Sequence, residues 1–384
     1  MNEDAQKVKE VFKEKFKREP RMFYSPGRIN FIGEHVDYND GFVMPAAINK
    51  GIYYAISPNS TGTLNFSALD FNEDYSIEIA AIKKAGSWRN YVLSIVNEFV
   101  VAGKDIGGFD CVFGGNVPNG GGLSSSAAVE GGLAFGINEI FKCGFSRKEL
   151  ALLGQRAEHN YPGVMCGIMD QYANMQGKKD QVILLDCRSV EHEYLPLKMN
   201  DHQVVLINTN VHHSLASSEY NVRRKQCEEG LKILQKEMGI TSFRDVENPD
   251  DLLHYKIKLG EDVYKRCLYV VQEIRRTQEA AKYLKENMLS DFGELMFATH
   301  DGLSKLYNVS CNELDFLVDE ARKNKAVIGS RMMGGGFGGC TINIIENDAV
   351  ENFIADVTAA YQKKFQIDPD VFQVEIVDGT HEIK

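Results

Sequence analysis

Two glycine runs, Gly120–Gly122 and the five glycines between Gly334 and Gly339, constrain this chain more than any other feature. A residue without Cβ lets backbone N–H groups approach a ligand or another backbone closely. The first run continues through Leu123 into Ser124, Ser125 and Ser126, followed by alanines. Those serines begin a helix, and the positive end of a helix attracts anions. A phosphate cradle is the mechanical consequence. It is not a Walker A loop, because no Lys-Ser/Thr pair follows the glycines. Read alone, the same residues are also a flexible turn with a serine cap. The second run matches G-x-G-x-x-G, but it precedes the β-rich Thr341–Ile345. A dinucleotide-binding loop follows a strand and opens a helix, so the order is wrong.

At 384 residues the chain is too long for one ordinary core, and two domains are expected, 1–180 and 181–384. With 43% hydrophobic and 25% charged residues it is neither disordered nor fibrous. The net charge, 43 minus 54 or −11, argues against nucleic acid or an anionic membrane as the main partner. No apolar stretch reaches about 18 residues, so no membrane span is expected. The N-terminus is charged, without the apolar core of a secretory signal. The eight cysteines stand singly, with no C-x-x-C pair, so neither zinc nor a disulfide framework is expected. A reduced, cytoplasmic, monomeric enzyme is the simplest expectation.

Val8, Val11, Phe12 and Phe16 recur at helical spacing before Pro20. Tyr75, Ile77 and Ile79 alternate as in a strand, and Phe109–Phe113 forms another. Ser146 and Glu149 make a capping box. Val182–Leu185 and Val204–Ile207 are β-rich, Ser217–Met238 and Val263–Glu286 are helical, and a last helix and a strand at Phe372–Val377 follow Asn347. Mixed elements without a regular βαβ period favour α+β in two apposed domains.

Two further segments carry chemistry. Ser25–Asn39 gathers Arg28, Glu34, His35 and Asp37 in an otherwise apolar, turn-rich stretch. Carboxylates and imidazoles grip a polyhydroxylated ligand, and an Arg supplies charge to a phosphoryl group. A solvated surface loop is the bland alternative. In the other segment, Glu158 and Asp170 are separated by Pro162 and Gly163. Paired carboxylates suit a division of labour, one holding Mg²⁺ and one facing a hydroxyl nucleophile. Each is equally readable as a helix-end charge. Asp291-Phe292-Gly293 lacks the other protein-kinase motifs and is taken as chance, and the Asn308 sequon as unused. Trp88, the single tryptophan, is by default a core residue.

Taken together, these residues carry a resemblance. Gly27–Asn39 (GRINFIGEHVDYN) resembles the galactokinase signature; Gly120–Ala128 and Arg331–Thr341 resemble the second and third motifs of the GHMP small-molecule kinases. The resemblance implies an N-terminal domain like that of ribosomal protein S5 and a ferredoxin-like C-terminal domain, with the active site between them. It implies ATP-dependent phosphorylation of the anomeric hydroxyl of α-D-galactose, the first committed step of galactose use. Asp170 would face that hydroxyl, with Arg28 beside it. Glu34, His35, Val36, Asp37, Gly167 and Tyr220 would form the sugar site. Gly120, Gly121, Gly122, Leu123, Ser124, Ser125 and Ser126 would wrap the ATP phosphates, with Ser126 and Glu158 on Mg²⁺. Trp88 and Ser67 would lie near adenine. Val36 departs from the Thr usual there, with little expected effect on sugar choice.

Three rivals are weighed. A catalytically inactive galactose sensor would show a damaged glycine–serine loop, and this one is complete. A kinase for N-acetylgalactosamine or another sugar fits Glu34–Asn39 less well. A mevalonate- or homoserine-type kinase lacks the first signature.

Overall fold

The computed structural model describes residues 2–118, 121–212 and 216–384. Among them the strands are β1 (Arg21–Asn30), β2 (Phe42–Val43), β3 (Pro45–Pro58), β4 (Thr63–Ala68), β5 (Glu73–Glu78), β6 (Phe109–Gly115), β7 (Gln181–Asp186), β8 (Glu191–Pro196), β9 (His202–His212), β10 (Val327–Met332), β11 (Gly338–Glu346), β12 (Asp370–Val374) and β13 (His381–Ile383). The helices are α1 (Glu3–Phe16), α2 (Arg89–Val101), α3 (Ser125–Ile140), α4 (Arg147–Asn160), α5 (Met169–Gln176), α6 (Ala216–Met238), the single turn α7 (Lys256–Leu259), α8 (Glu261–Lys285), α9 (Leu289–Gly302), α10 (Asn312–Lys323) and α11 (Val350–Phe365).

A six-stranded sheet runs β13-β1-β3-β6-β4-β5, antiparallel except for the parallel β4–β6 pair. A second sheet runs β10-β11-β9-β12. Its chain order is β9, helices, β10, β11, α11, β12, which is the β-α-β-β-α-β arrangement of a ferredoxin-like domain. A third, small sheet joins β2, β7 and β8. The chain does not divide cleanly in sequence. β7 pairs with β2, and β13 returns from the C-terminus to β1, where Arg21 Nε and Nη2 grip Glu382 at 2.7 and 2.8 Å.

Local chemistry explains the elements. The Asn2 side chain caps α1 by accepting from the Ala5 N–H, with Glu3 and Asp4 in the first turn and Lys13 and Lys15 in the last. α4 starts at the Ser146–Glu149 capping box, with both reciprocal bonds present. α3 owes its seat to small residues: a Cβ at Gly132 would lie 2.3 Å from the Tyr54 ring, and one at Gly131 would lie 1.9 Å from Asn174 Oδ1. The helix therefore rests directly on β3 and α5.

One apolar cluster fixes how the two halves meet. Ile29, Phe31, Ile32, Met44 and Ile48 pack with Leu206, Phe292, Met333, Ile342 and Ile344. At about 1.5–3 kcal/mol per large side chain, burying the five from the first half contributes on the order of 10 kcal/mol, an upper estimate. The end of β1 is thus anchored in the second domain, and the chemistry lies at that seam.

Candidate active site

The two glycine runs meet. A Cβ at Gly334 would come within 3.4 Å of the Gly122 backbone, and one at Gly122 within 3.3 Å of the Met333 carbonyl. Both have positive φ, +84° and +70°, which L side chains rarely adopt. Gly120 lies outside the described residues. From Gly121 and Gly122 the chain passes Leu123, whose side chain is buried, and enters α3 at Ser125 with Ser126 following. Ser124, the residue before the helix, has φ +57°, uncommon for a non-glycine residue. Its hydroxyl donates to Asp170 Oδ2 at 2.6 Å.

β1 delivers Arg28 to the same point. The β1–β3 register shifts between Pro26 and Arg28, a bulge that re-aims the side chain. The Arg28 backbone N–H bonds the Leu123 carbonyl at 3.1 Å. Its Nη1 donates to the Gly122 carbonyl at 2.5 Å and its Nε to Asp170 Oδ1 at 2.8 Å. Burial works against the buried guanidinium's charge, but Asp170 and Glu34 outweigh it and raise its pKa. Asp170 is consequently held at both oxygens, between the cation and the loop.

Beside it lies a cavity of about 270 Å³, lined by Arg28, Glu34, His35, Asp37, Glu158, Val164, Cys166, Met169, Asp170, Tyr220 and Gly334–Gly336. That is just below the ~300–1,000 Å³ of pockets for drug-sized ligands, so it suits one small ligand. Four carboxylates face one arginine. Burial, with Asp170 and Glu34 adding to it, pushes the Asp37 carboxyl up to about 7. Gly167 makes room for it: a Cβ there would sit 1.9 Å from Asp37 Oδ2. His35 has φ +61°. Burial lowers its pKa to about 4, so the imidazole is neutral. Its Nδ1 bonds the Tyr38 hydroxyl at 2.7 Å, Tyr38 bonds Tyr307 at 2.9 Å, and Nε2 is buried without a partner. Tyr220 packs against His35 and Tyr38, with ring centroids 5.4 and 5.5 Å apart. Burial, followed by Asp170, also pushes Glu158 up to about 7, against hydrogen bonds from Cys166, Ser126 and Gln171.

Several expectations need correction. Val36, expected at the sugar, does not face this pocket. Its side chain is fully buried in the core under Gly41, and its carbonyl accepts from the Asn39 and Gly41 N–H groups. The charged signature is not a solvated loop, since Arg28, Glu34 and His35 are all buried. Glu34 lines the pocket, yet its Oε1 accepts the Gly334 N–H and its Oε2 is bonded by Asn30 and by Arg331. Trp88, which the resemblance puts near adenine, lies apart from this pocket, buried between Phe71 and Phe113 and donating to Glu73 at 2.9 Å. The Ser67 hydroxyl is bonded to Lys15 and Asp74. The motif reading also left Arg331 without a role. Its fully buried guanidinium bonds the Asn30, Phe31 and Met332 carbonyls as well as Glu34, tying the signature to the second domain. Val164, Cys166 and Met169 also line the pocket, and their residue types alone give no signal for a pocket wall. The eight cysteines are free, and no described helix is long and apolar enough to cross a membrane.

This seam-bound site, with its glycine loop at a helix start, defines a small-molecule kinase of the GHMP class. Residues 90–178 match the GHMP kinases N terminal domain, and residues 280–363 match GHMP kinases C terminal. Residues 10–58 match the galactokinase galactose-binding signature. The galactokinase of Clostridium perfringens strain 13 is 39% identical, covering 98% of this chain and 99% of its own. That of Clostridium acetobutylicum is 40% identical, covering 97% and 98%. The crystal structure of Lactococcus lactis galactokinase complexed with galactose superposes with a TM-score of 0.94 at 33% identity, covering 98% and 99%. Methanococcus jannaschii mevalonate kinase, at 17% identity, 94% and 99% coverage and a TM-score of 0.67, shares the fold. The chain belongs to the galactokinase family.

Proposed function

We infer that the protein transfers the γ-phosphate of ATP to the anomeric hydroxyl of α-D-galactose, releasing galactose 1-phosphate and ADP. The observation that carries this is the placement of Asp170. It borders the small acidic pocket while Ser124 and Arg28 bind it to the phosphate loop. A hydroxyl in the pocket and a phosphoryl group on the loop would therefore meet at one carboxylate. Phosphoryl transfer depends mostly on positioning and charge neutralisation. Asp170 orients the hydroxyl and takes its proton; Arg28 stabilises charge on the transferring group. Asp37, the unpartnered Nε2 of His35 and Tyr220 hold the other sugar hydroxyls. Glu34 acts mainly as a brace. The backbone N–H groups of the loop and the start of α3 receive the phosphates. Adenine lies toward Trp88 and Ser67, where Phe71, 48% exposed and stacked on Trp88, offers an aromatic surface.

A divalent cation fits this site. Glu158 is a nearly buried carboxylate, with the Ser126 side chain near it and its charged form disfavoured by burial and then by Asp170. Among the described residues no cluster of three or more His, Cys, Asp or Glu could hold a metal alone. Mg²⁺ needs no such cluster: it takes one or two protein ligands and completes its shell with water and substrate phosphates. Ser126 and Glu158 would hold it, and it would supply charge neutralisation at the phosphates.

Asp170→Asn tests the assignment. Turnover should fall by at least ~10²–10⁴-fold, the usual contribution of a positioned base, while calorimetry still detects galactose binding. A near-normal kcat would remove Asp170 from the mechanism.

A further inference from the structure

The elements that carry the groups assigned to the transfer meet a second time, away from the pocket. β1 brings Arg28, α5 brings Asp170, and α3 follows the phosphate loop. Asn174 lies four residues beyond Asp170, on the same face of α5, and is buried. Its Nδ2 donates to the Pro26 carbonyl at 2.6 Å and to Ser25 Oγ at 2.9 Å, on β1 just before the bulge that re-aims Arg28. Among the described residues, these two bonds and the Arg28–Asp170 pair are the hydrogen bonds that join β1 to α5. α3 leaves room for the amide at Gly131, where a Cβ would collide with Asn174 Oδ1.

These bonds have one consistent direction. The Pro26 carbonyl can only accept, which turns Nδ2 toward β1 and leaves Oδ1 facing Thr380. The Thr380 hydroxyl donates to that Oδ1 at 2.8 Å; the Asn174 carbonyl, 3.2 Å from the same hydroxyl, already takes the Thr380 N–H at 2.8 Å. Thr380 has then spent its one proton, so Ser25 Oγ, 3.2 Å away, is the donor between the two hydroxyls. Asn174, Ser25 and Thr380, all buried, close a ring in which each amide and hydroxyl group has its partner. The backbone holds the same join: the Gly379 N–H bonds the Gly177 carbonyl at 2.8 Å, and a Cβ at Gly379 would lie 2.7 Å from the Met175 carbonyl. We propose that this ring positions the Arg28–Asp170 pair: Asn174, Ser25 and Thr380 set the spacing of β1 and α5, so that guanidinium and carboxylate meet in the geometry the transfer needs. All three are positioning residues, and none of them lines the pocket. Their effect on turnover rests on the reading that Asp170 and Arg28 serve the transfer.

Thr380→Val keeps the side-chain shape and removes the hydroxyl, stranding Asn174 Oδ1 and the Ser25 proton; Thr380→Ser keeps the ring closed. Crystal structures of the ligand-free variants read the pair independently of activity. T380V should show Arg28 Nε drawn out of hydrogen-bond reach of Asp170, and T380S should keep the contact. Per galactose-binding site counted by calorimetry, kcat of T380V should fall ~10–100-fold, as ångström-scale misplacement costs, with galactose Kd and the kcat of T380S within about threefold of wild type. In an Arg28→Ala background, Thr380→Val should change kcat by less than about twofold, whereas a merely structural loss would add in full. An unmoved pair in T380V, a T380S as impaired as T380V, or additive losses would refute the proposal. Should T380V fail to fold, Ser25→Ala opens the same ring and is read in the same way. A displaced pair with unchanged kcat would uphold the ring and remove Asp170 and Arg28 from the mechanism, which separates the two readings.

Discussion

Gly167 offers the sharpest test of how the sugar pocket is built. A Cβ there would sit 1.9 Å from Oδ2 and 2.2 Å from Cγ of Asp37. Real Cβ contacts begin near 3 Å, so Gly167→Ala must drive the Asp37 carboxylate roughly 1 Å or more out of place, and hydrogen bonds weaken steeply with such misplacement. Each hydrogen bond to a charged group contributes about 1.5–3 kcal/mol. Losing two to the sugar costs about 3–6 kcal/mol, or ~10²–10⁴-fold in galactose affinity. Gly167 lacks the positive φ that would strain an alanine backbone, so the damage acts through Asp37 alone. The test is a double-mutant cycle, with galactose binding measured by calorimetry and kcat/KM by coupled ADP release. D37A should be as impaired as G167A, and D37A/G167A no worse than D37A, since the group that clashes is gone. Additive losses would show that Gly167 acts elsewhere and refute the reasoning.

Three further outcomes follow from the same contacts. If the ionised Asp37 accepts sugar hydroxyls, its pKa near 7 makes galactose affinity fall as pH drops below 7, approaching about tenfold per unit, and level off above it; a flat calorimetric profile from pH 5.5 to 8 would contradict this. Arg331→Met removes one partner of the buried pair with Glu34 and should cost about 3–5 kcal/mol in urea unfolding; a loss below about 1 kcal/mol would show that the brace is not structural. Val36→Thr should lower stability by about 1–3 kcal/mol by burying a hydroxyl, with galactose KM nearly unchanged. A large KM change would return Val36 to the sugar site.

Much of this was legible in the chain because the signals were local. The Ser146–Glu149 box needs only a spacing of three, and α4 starts there. The glycine–serine run foretold a helix start, and α3 begins at Ser125. What stayed hidden was non-local. Arg331 reaches Glu34 across 297 residues, so no window of sequence displays a pair that takes up the carboxylate expected to hold the sugar. Val36 sits between two pocket residues, but the tight turn at Asp37–Asn39 sends its side chain inward, against Gly41. The packing of Trp88 against Phe113 depends on strands folded around it. The return of β13 to β1 joins the two ends of the chain. Most of the glycines acquire reasons only in three dimensions. Gly131 and Gly132 seat α3 on its neighbours, and Gly122 touches Gly334.

The proposed reaction forms one bond, between the γ-phosphorus of ATP and the oxygen of the anomeric hydroxyl, as the bond from that phosphorus to ADP breaks. The measurement that reaches it most directly is ³¹P and ¹³C NMR of the product formed from galactose, ATP and Mg²⁺, run beside N-acetylgalactosamine, arabinose and mevalonate with ADP release followed in each. Phosphate attached at the anomeric carbon of α-galactose, with galactose the preferred acceptor, is the predicted result. Phosphate at another carbon, a different preferred acceptor, or no ADP release with any of the four would contradict it.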